Sequence, residues 1–284
     1  SSYSSYATLF GKEPINYSER SYALLLSNIT PPTGFRWNTN DLAICMLISF
    51  PFFLCLQNKN LRIFGILATT ILIIMTASRA VFLGLILILA IYLIFVKKKV
   101  STVSFIWILI SIFYLGIYQF RESNNPRYNE LANSADALMI FLKGDVDLGG
   151  SLEWRRELLD NGLIAFKNTY GLGLGAGGSL ANQEKIGAVA GRFTSMHNFW
   201  VEILVEGGIF ISLIMLFWII SIIFNLFIVS RTSNNENIKY FSTSLFLSLI
   251  GFIPGAVAAS STIYFLPMWG LLGFAISVLS LSKS

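Results

Sequence analysis

Three arginines and a single histidine are the side chains in this sequence best suited to chemistry on an anion. They are Arg79, Arg155, Arg156 and His197. Arginine presents a planar fork of N–H donors that fits two phosphate oxygens at once. Histidine titrates near neutral pH, so it can take a proton or donate a hydrogen bond. Arg79 stands in Thr76-Ala77-Ser78-Arg79-Ala80, a short turn between two apolar runs. An arginine there can snorkel to lipid headgroups, but ionisable groups at a membrane boundary are also candidate functional sites. Arg155 and Arg156 fit either a solvated helix face or a phosphate fork. His197 stands where apolar sequence resumes, beside Phe199 and Trp200. Glu202 and Glu206 follow, either as an interfacial pair or as an orienter or base for the histidine. No Cys/His/Asp cluster has the spacing of metal ligands around His197, so no metal is expected.

A glycine run lies between the paired arginines and the histidine: Gly171, Gly173, Gly175, Gly177 and Gly178. No Lys-Ser/Thr follows it and no strand precedes it, so it is not a nucleotide loop. It reads either as a tight, permissive turn or as backbone N–H groups of Gly173, Gly175 and Gly177 facing an anion. The two cysteines, Cys45 and Cys55, lie in one apolar stretch and read as small hydrophobes.

The elements that must position these residues follow from composition. Of 284 residues, 55% are hydrophobic and 12% charged, with a mean hydropathy of +0.67. Soluble domains carry about 25% charged residues. The composition excludes disorder, an ordinary soluble enzyme and a disulfide scaffold. It predicts an all-α integral membrane protein. Seven continuous apolar runs are long enough for transmembrane helices: about 41–57, 62–77, 80–96, 101–118, 208–230, 240–258 and 263–281. The chain divides into 1–118, an outer N-terminal segment with four spans; 119–197, one large loop; and 198–284, three spans. It begins Ser-Ser-Tyr without Met, and the expectation is the C-terminal portion of a longer protein.

Charge sets the orientation. Lys59, Arg62, Lys97, Lys98, Lys99, Arg231, Lys239 and Lys283 fall in or beside short connections, against one acid, Glu236. The rest of the chain keeps 12 basic and 14 acidic residues, out of 20 and 15 in all. The positive-inside rule places those connections in the cytoplasm. The turn at Arg79, the 119–197 loop and the 259–262 turn then lie outside. The loop predicts one amphipathic helix over about 152–167, capped by Ser151, with a stripe of Leu152, Leu159, Leu163 and Phe166. Arg155 and Arg156 flank that stripe. All three arginines and the histidine thus fall on one face of one membrane, a layout for an anionic, diphosphate-bearing substrate delivered from the lipid phase.

Four elements in order resemble the O-antigen ligase and polymerase superfamily of bacterial membrane glycosyltransferases. They are Gly34-Phe35-Arg36-Trp37-Asn38-Thr39-Asn40-Asp41; Ser78-Arg79 before an apolar run; Arg155-x3-Leu159 with Phe166 and the glycine run; and His197-Asn198 with Gly208 eleven positions after the histidine. Tyr170 stands where the family usually has proline. The resemblance implies a GT-C-like helical fold with the active site under an extracytoplasmic loop, in the bacterial cytoplasmic membrane. It implies an undecaprenyl-diphosphate-linked glycan donor and a glycan acceptor. It implies that Arg79 and Arg155 hold the diphosphate and His197 sits at the reaction centre, with Asn40, Asn198, Glu202 and Glu206 as possible support. No cofactor, nucleotide sugar or nucleic acid is expected. The sequence after His197 looks closer to polymerase-like members than to ligases. A flippase for lipid-linked oligosaccharides is the competing class. It would want charged or broken helices in mid-membrane, and Pro254 is the one interruption of that kind that the sequence reading finds.

Overall fold

The computed structural model describes residues 38–76, 78–96, 151–186, 196, 198–257 and 265–283. Among these, all regular structure is helical: α1 Thr39–Leu54, α2 Lys59–Thr76, α3 Arg79–Ile91 with a π-helical continuation over Tyr92–Val96, α4 Ser151–Asn168, α5 Gly178–Ile186, α6 Phe199–Thr232, α7 Glu236–Gly255 and α8 Leu266–Leu281. The chain is an all-α membrane protein. Six of the seven predicted spans coincide with described helices, and the run 101–118 lies outside the described residues. α2, α3 with its π-helical continuation, α6 and α7 are long and apolar enough to cross a membrane, and α1 and α8 are shorter apolar helices.

Asparagine side chains start four of these helices. Asn38 accepts the amides of Asn40 and Asp41, Asn58 those of Asn60 and Leu61, Asn198 those of Trp200 and Val201, and Asn235 those of Asn237 and Ile238. Each cap satisfies two of the four amides that a helix start leaves without a partner. Ser151 was expected to be such a cap but is the first residue of α4 itself.

The centre of the bundle is α7, packed on α1 and α3 through small residues. A methyl at Gly84 of α3 would stand 2.7 Å from the Gly251 carbonyl oxygen and 2.7 Å from a Leu47 methyl of α1. Gly251 receives Ile88 in the same way. Lipid tails are as apolar as leucine, so association in a bilayer rests on such close packing and on hydrogen bonds. α7 supplies these bonds too. Ser248 Oγ donates to the Ile48 carbonyl at 2.6 Å, Ser244 Oγ to that of Pro51 at 3.4 Å, and the Tyr240 hydroxyl to that of Phe52 at 2.8 Å. Proline lacks an amide and interrupts the helix ladder at Pro51. Pro51 is thus a second interruption beside Pro254, which sits in the last turn of α7 rather than in mid-span.

Other faces carry large apolar side chains outward. Phe210, Ile214 and Phe217 of α6 are 68%, 69% and 67% exposed and lie at helical spacing. A stripe of that size is a lipid-facing surface. The ends with the predicted cytoplasmic charges come together. Arg231 donates to the Phe95 carbonyl, and Arg62 and Lys239 line one cavity with Tyr92 and Tyr240.

Gly84→Val is expected to lower stability by about 1–3 kcal/mol, because both neighbours are fixed in helices. Gly273→Ala, with open space at its Cβ, is expected to leave it unchanged or slightly raised. Thermal unfolding in detergent compares the two, and equal melting temperatures for both variants would contradict this packing.

Candidate functional site

The elements carrying the sequence candidates meet at the end of the bundle opposite that cavity. Arg79 is the first residue of α3 and is exposed. It lies five residues before Gly84, which faces Gly251 near the end of antiparallel α7. Arg79 is therefore level with the end of α7. The start of α6 docks at the same place. The Phe199 amide donates to the Ala256 carbonyl at 3.1 Å, and Trp200 Nε1 to that of Ile253 at 3.0 Å. His197 itself lies outside the described residues, but its neighbours Met196 and Asn198 are held here. Asn198, expected as a supporting residue, caps α6. Asn40 is in the first turn of α1, after the Asn38 cap.

α4 packs against the beginning of α6. Its buried face is Leu158, Gly162 and Ala165, while Leu159, Leu163 and Phe166 are half-buried. The expected stripe is thus offset by one residue. Hydropathy gives glycine little weight, yet Gly162 lies close against the chain entering α6: a methyl there would stand 2.0 Å from the Met196 methyl and 3.4 Å from Val205 of α6. By helical register, position 155 continues the buried line 158–162–165, and position 156 continues the half-buried line 159–163–166. The backbone positions of the two arginines thus extend these two lines toward the start of α4.

α4 ends in a left-handed turn. The Tyr170 amide bonds the Lys167 carbonyl at 2.9 Å and the Gly171 amide that of Phe166 at 3.1 Å, the two bonds of a Schellman motif. Tyr170 has φ 53. A proline ring cannot take that angle. The chain then enters the glycine run, where Gly171, Gly173, Gly175 and Gly177 all have φ between 74 and 87.

That run closes on a break in α6. Gly208 has φ 74 and ψ 179, a conformation essentially confined to glycine. The break frees the carbonyls of Val205 and Glu206 and the amide of Ile209 from the helix ladder. The glycine run supplies all three partners. The Leu174 amide donates to Val205 O at 2.8 Å, the Gly175 amide to Glu206 O at 3.0 Å, and the Ile209 amide to Gly171 O at 3.0 Å. Backbones this close leave no room for side chains. A methyl on Gly208 would stand 2.3 Å from the Leu172 oxygen, and one on Gly173 would stand 2.5 Å from the Glu206 oxygen.

Glu206 ties the far end of the run. Its buried carboxylate accepts the Gly177 amide at 3.0 Å and the Ser179 hydroxyl at the start of α5. α5, a helix not expected from sequence, is fixed in turn by Gln183, whose Nε2 donates to the Leu158 carbonyl at 2.9 Å. The Gly173 amide donates to the Thr169 hydroxyl oxygen at 3.2 Å. The amides of Gly173, Gly175 and Gly177, expected to face an anion, are thus engaged inside the protein; the anion that Gly177 meets is Glu206. Glu202 is buried one turn earlier. Among the described residues no three His, Cys, Asp or Glu side chains group as a metal site.

The family described as O-antigen ligase matches residues 64–216, more than half of the chain. The chain belongs to the O-antigen ligase family. The matched segment contains Arg79, the whole of α4, the glycine run and the break at Gly208. This family member is also 26% identical over 260 residues to the teichuronic acid biosynthesis protein TuaE of Bacillus subtilis (strain 168). The alignment covers 89% of this chain and 52% of TuaE, so the chain spans about half the length of that curated relative. No solved structure matches it.

Gly208→Ala and Gly173→Ala are each expected to cost about 3 kcal/mol or more, combining backbone strain with overpacking. Gly175→Ala, which has open space and only the angle to bear, is expected to cost about 1–2 kcal/mol. Unfolding temperatures of the purified variants give the order, and equal losses at Gly175 and Gly208 would contradict it.

Proposed function

We propose that this protein transfers an undecaprenyl-diphosphate-linked glycan to a glycan acceptor at the outer face of the bacterial cytoplasmic membrane, as a polymerase of surface polysaccharide. The observation that carries the reading is the convergence, at one end of the bundle, of α3 beginning at Arg79, α4 bearing Arg155 and Arg156, and the start of α6 that follows His197. Family membership supports lipid-linked glycan chemistry, and the name of the Bacillus relative supports a surface polymer. The positive-inside balance supports the outer placement of this end.

The transfer requires little of the protein beyond charge and position. The acceptor hydroxyl oxygen forms a bond to the anomeric carbon of the donor glycan. The bond from that carbon to the diphosphate oxygen breaks, and the lipid diphosphate leaves with the electron pair. Arg79 and Arg155 offset the charge that develops on it, and Arg156 is a further donor of the same kind. Arginine forks suit this because preorganised charge lowers the barrier most where charge accumulates. His197 takes the hydroxyl proton or orients the hydroxyl. Glu202 and Glu206 support the start of α6. Gly173, Gly175 and Gly177 brace that helix rather than bind the diphosphate.

A ligase, joining the finished glycan to a different surface acceptor, is the second reading, and the family's description favours it. Deletion of the gene followed by sizing of surface glycans separates the two. Loss of chain length with a single repeat still attached supports the polymerase, and long chains left on the lipid carrier support the ligase. In the complemented strain, Arg79→Ala, Arg155→Ala and His197→Ala are each expected to lower polymer formation roughly 100-fold or more at unchanged membrane abundance. Full-length glycan from all three variants would overturn the reading, as would movement of lipid-linked glycan across vesicles by the pure protein with no glycosidic bond formed.

A further inference from the structure

The cavity at the opposite end of the bundle has no part in that chemistry. It encloses about 290 Å³ between the end of α1, the start of α2, the π-helical continuation of α3 and the start of α7. Its lining is mixed: Arg62, Lys239, Glu236 and Gln57 are among its charged and polar residues, and Leu54, Leu56 and Val96 are among its apolar ones. Tyr92, the first residue of the π turn, also lines it. Such turns are rare and often mark functional sites.

Two cations line it against one acid, Glu236, which lies in the first turn of α7, so the lining has a net positive charge. Arg62 is partly held, its guanidinium donating to the Leu56 carbonyl at 3.4 Å. The cavity sits where four helix ends with the predicted cytoplasmic charges converge.

From this arrangement we propose that the cavity binds one anionic phospholipid of the inner leaflet, its phosphate on Arg62 and Lys239 and its acyl chains along Leu56 and Val96. A free phosphate would match the cations alone. The apolar residues of the lining, with exposed Phe95 beside Val96, are what select a lipid. Basic pockets between helices on the cytoplasmic side have the chemistry for such headgroups, and each cation near the surface contributes about fivefold in affinity.

The test uses the full chain purified in detergent. It is titrated with dioleoylphosphatidylglycerol, dioleoylphosphatidylcholine or inorganic phosphate, with melting temperature as one readout and native mass spectrometry counting bound lipid as the other. The expected result is a single retained phosphatidylglycerol, preferred over phosphatidylcholine and not displaced by millimolar phosphate. Arg62→Gln and Lys239→Gln should each weaken it about fivefold. Val96→Trp, which keeps both charges and fills space along the apolar residues, should weaken it at least as much. Lys59→Gln, in the same connection but outside the cavity, should not change it. Equal retention of the two lipids would overturn the proposal, as would displacement by phosphate. A loss in Lys59→Gln matching that in Arg62→Gln would do the same, by reducing the effect to bulk surface charge. Mass spectrometry of the variants at the wild-type stoichiometry and elution volume separates lost binding from lost fold.

Discussion

A helix that breaks must find partners for the groups it releases, and the end of this protein that carries the candidate site is organised around that demand. At Gly208 the ladder of α6 is interrupted, and the carbonyls of Val205 and Glu206 and the amide of Ile209 bond outside it. Left unpaired in a buried site, each would cost about 1–3 kcal/mol. The glycine run answers with bonds of 2.8 to 3.0 Å. It can do so only because neither backbone has a Cβ at the points of contact. Gly173 and Gly208 are therefore one device, although 34 positions separate them along the chain.

The consequences reach the candidate site from both sides of the run. Upstream, the run is the direct continuation of α4, so pairing it to α6 fixes where α4 ends and how Gly162 meets Met196. The backbone of Arg155 and Arg156 is then set by a helix clamped at its far end. Downstream, the Glu206 carboxylate ties Gly177 and Ser179 to the same turn of α6, and α5 is tied back to α4 through Gln183 and Leu158. α4, the glycine run, α5 and the first part of α6 form a closed circuit of contacts. The bundle holds it through Phe199 on Ala256 and Trp200 on Ile253.

The spans were legible in the sequence because a bilayer imposes one strong requirement, a long apolar run, and hydropathy reads it directly. The break at Gly208 was legible as a span boundary, since the predicted run began there. Its partner was not, because the bonds join residues about thirty positions apart and no local pattern encodes them. The same limit explains the seam of α4. Leucine marks an apolar stripe, but Gly162 marks a close approach, and a small residue leaves no trace in hydropathy. The partners of the glycine amides are illegible for a related reason. Exposed N–H groups suit any acceptor, and only the fold reveals that the Thr169 hydroxyl, the Glu206 carbonyl and the Glu206 carboxylate occupy them. Pro51 was passed over because it lies in an otherwise strong apolar run, where neighbouring hydroxyls and close packing make it tolerable.

The interlock can be measured at the atoms that make it. Amide hydrogen exchange on the protein in lipid nanodiscs reads the protection of Leu174, Gly175 and Ile209 individually or in short peptides. If the run is paired to the broken helix, these amides exchange as slowly as those in the body of α6, and far more slowly than an open loop. Exchange of residues 171–178 at the rate of an unstructured segment, with α6 still protected, would contradict the account.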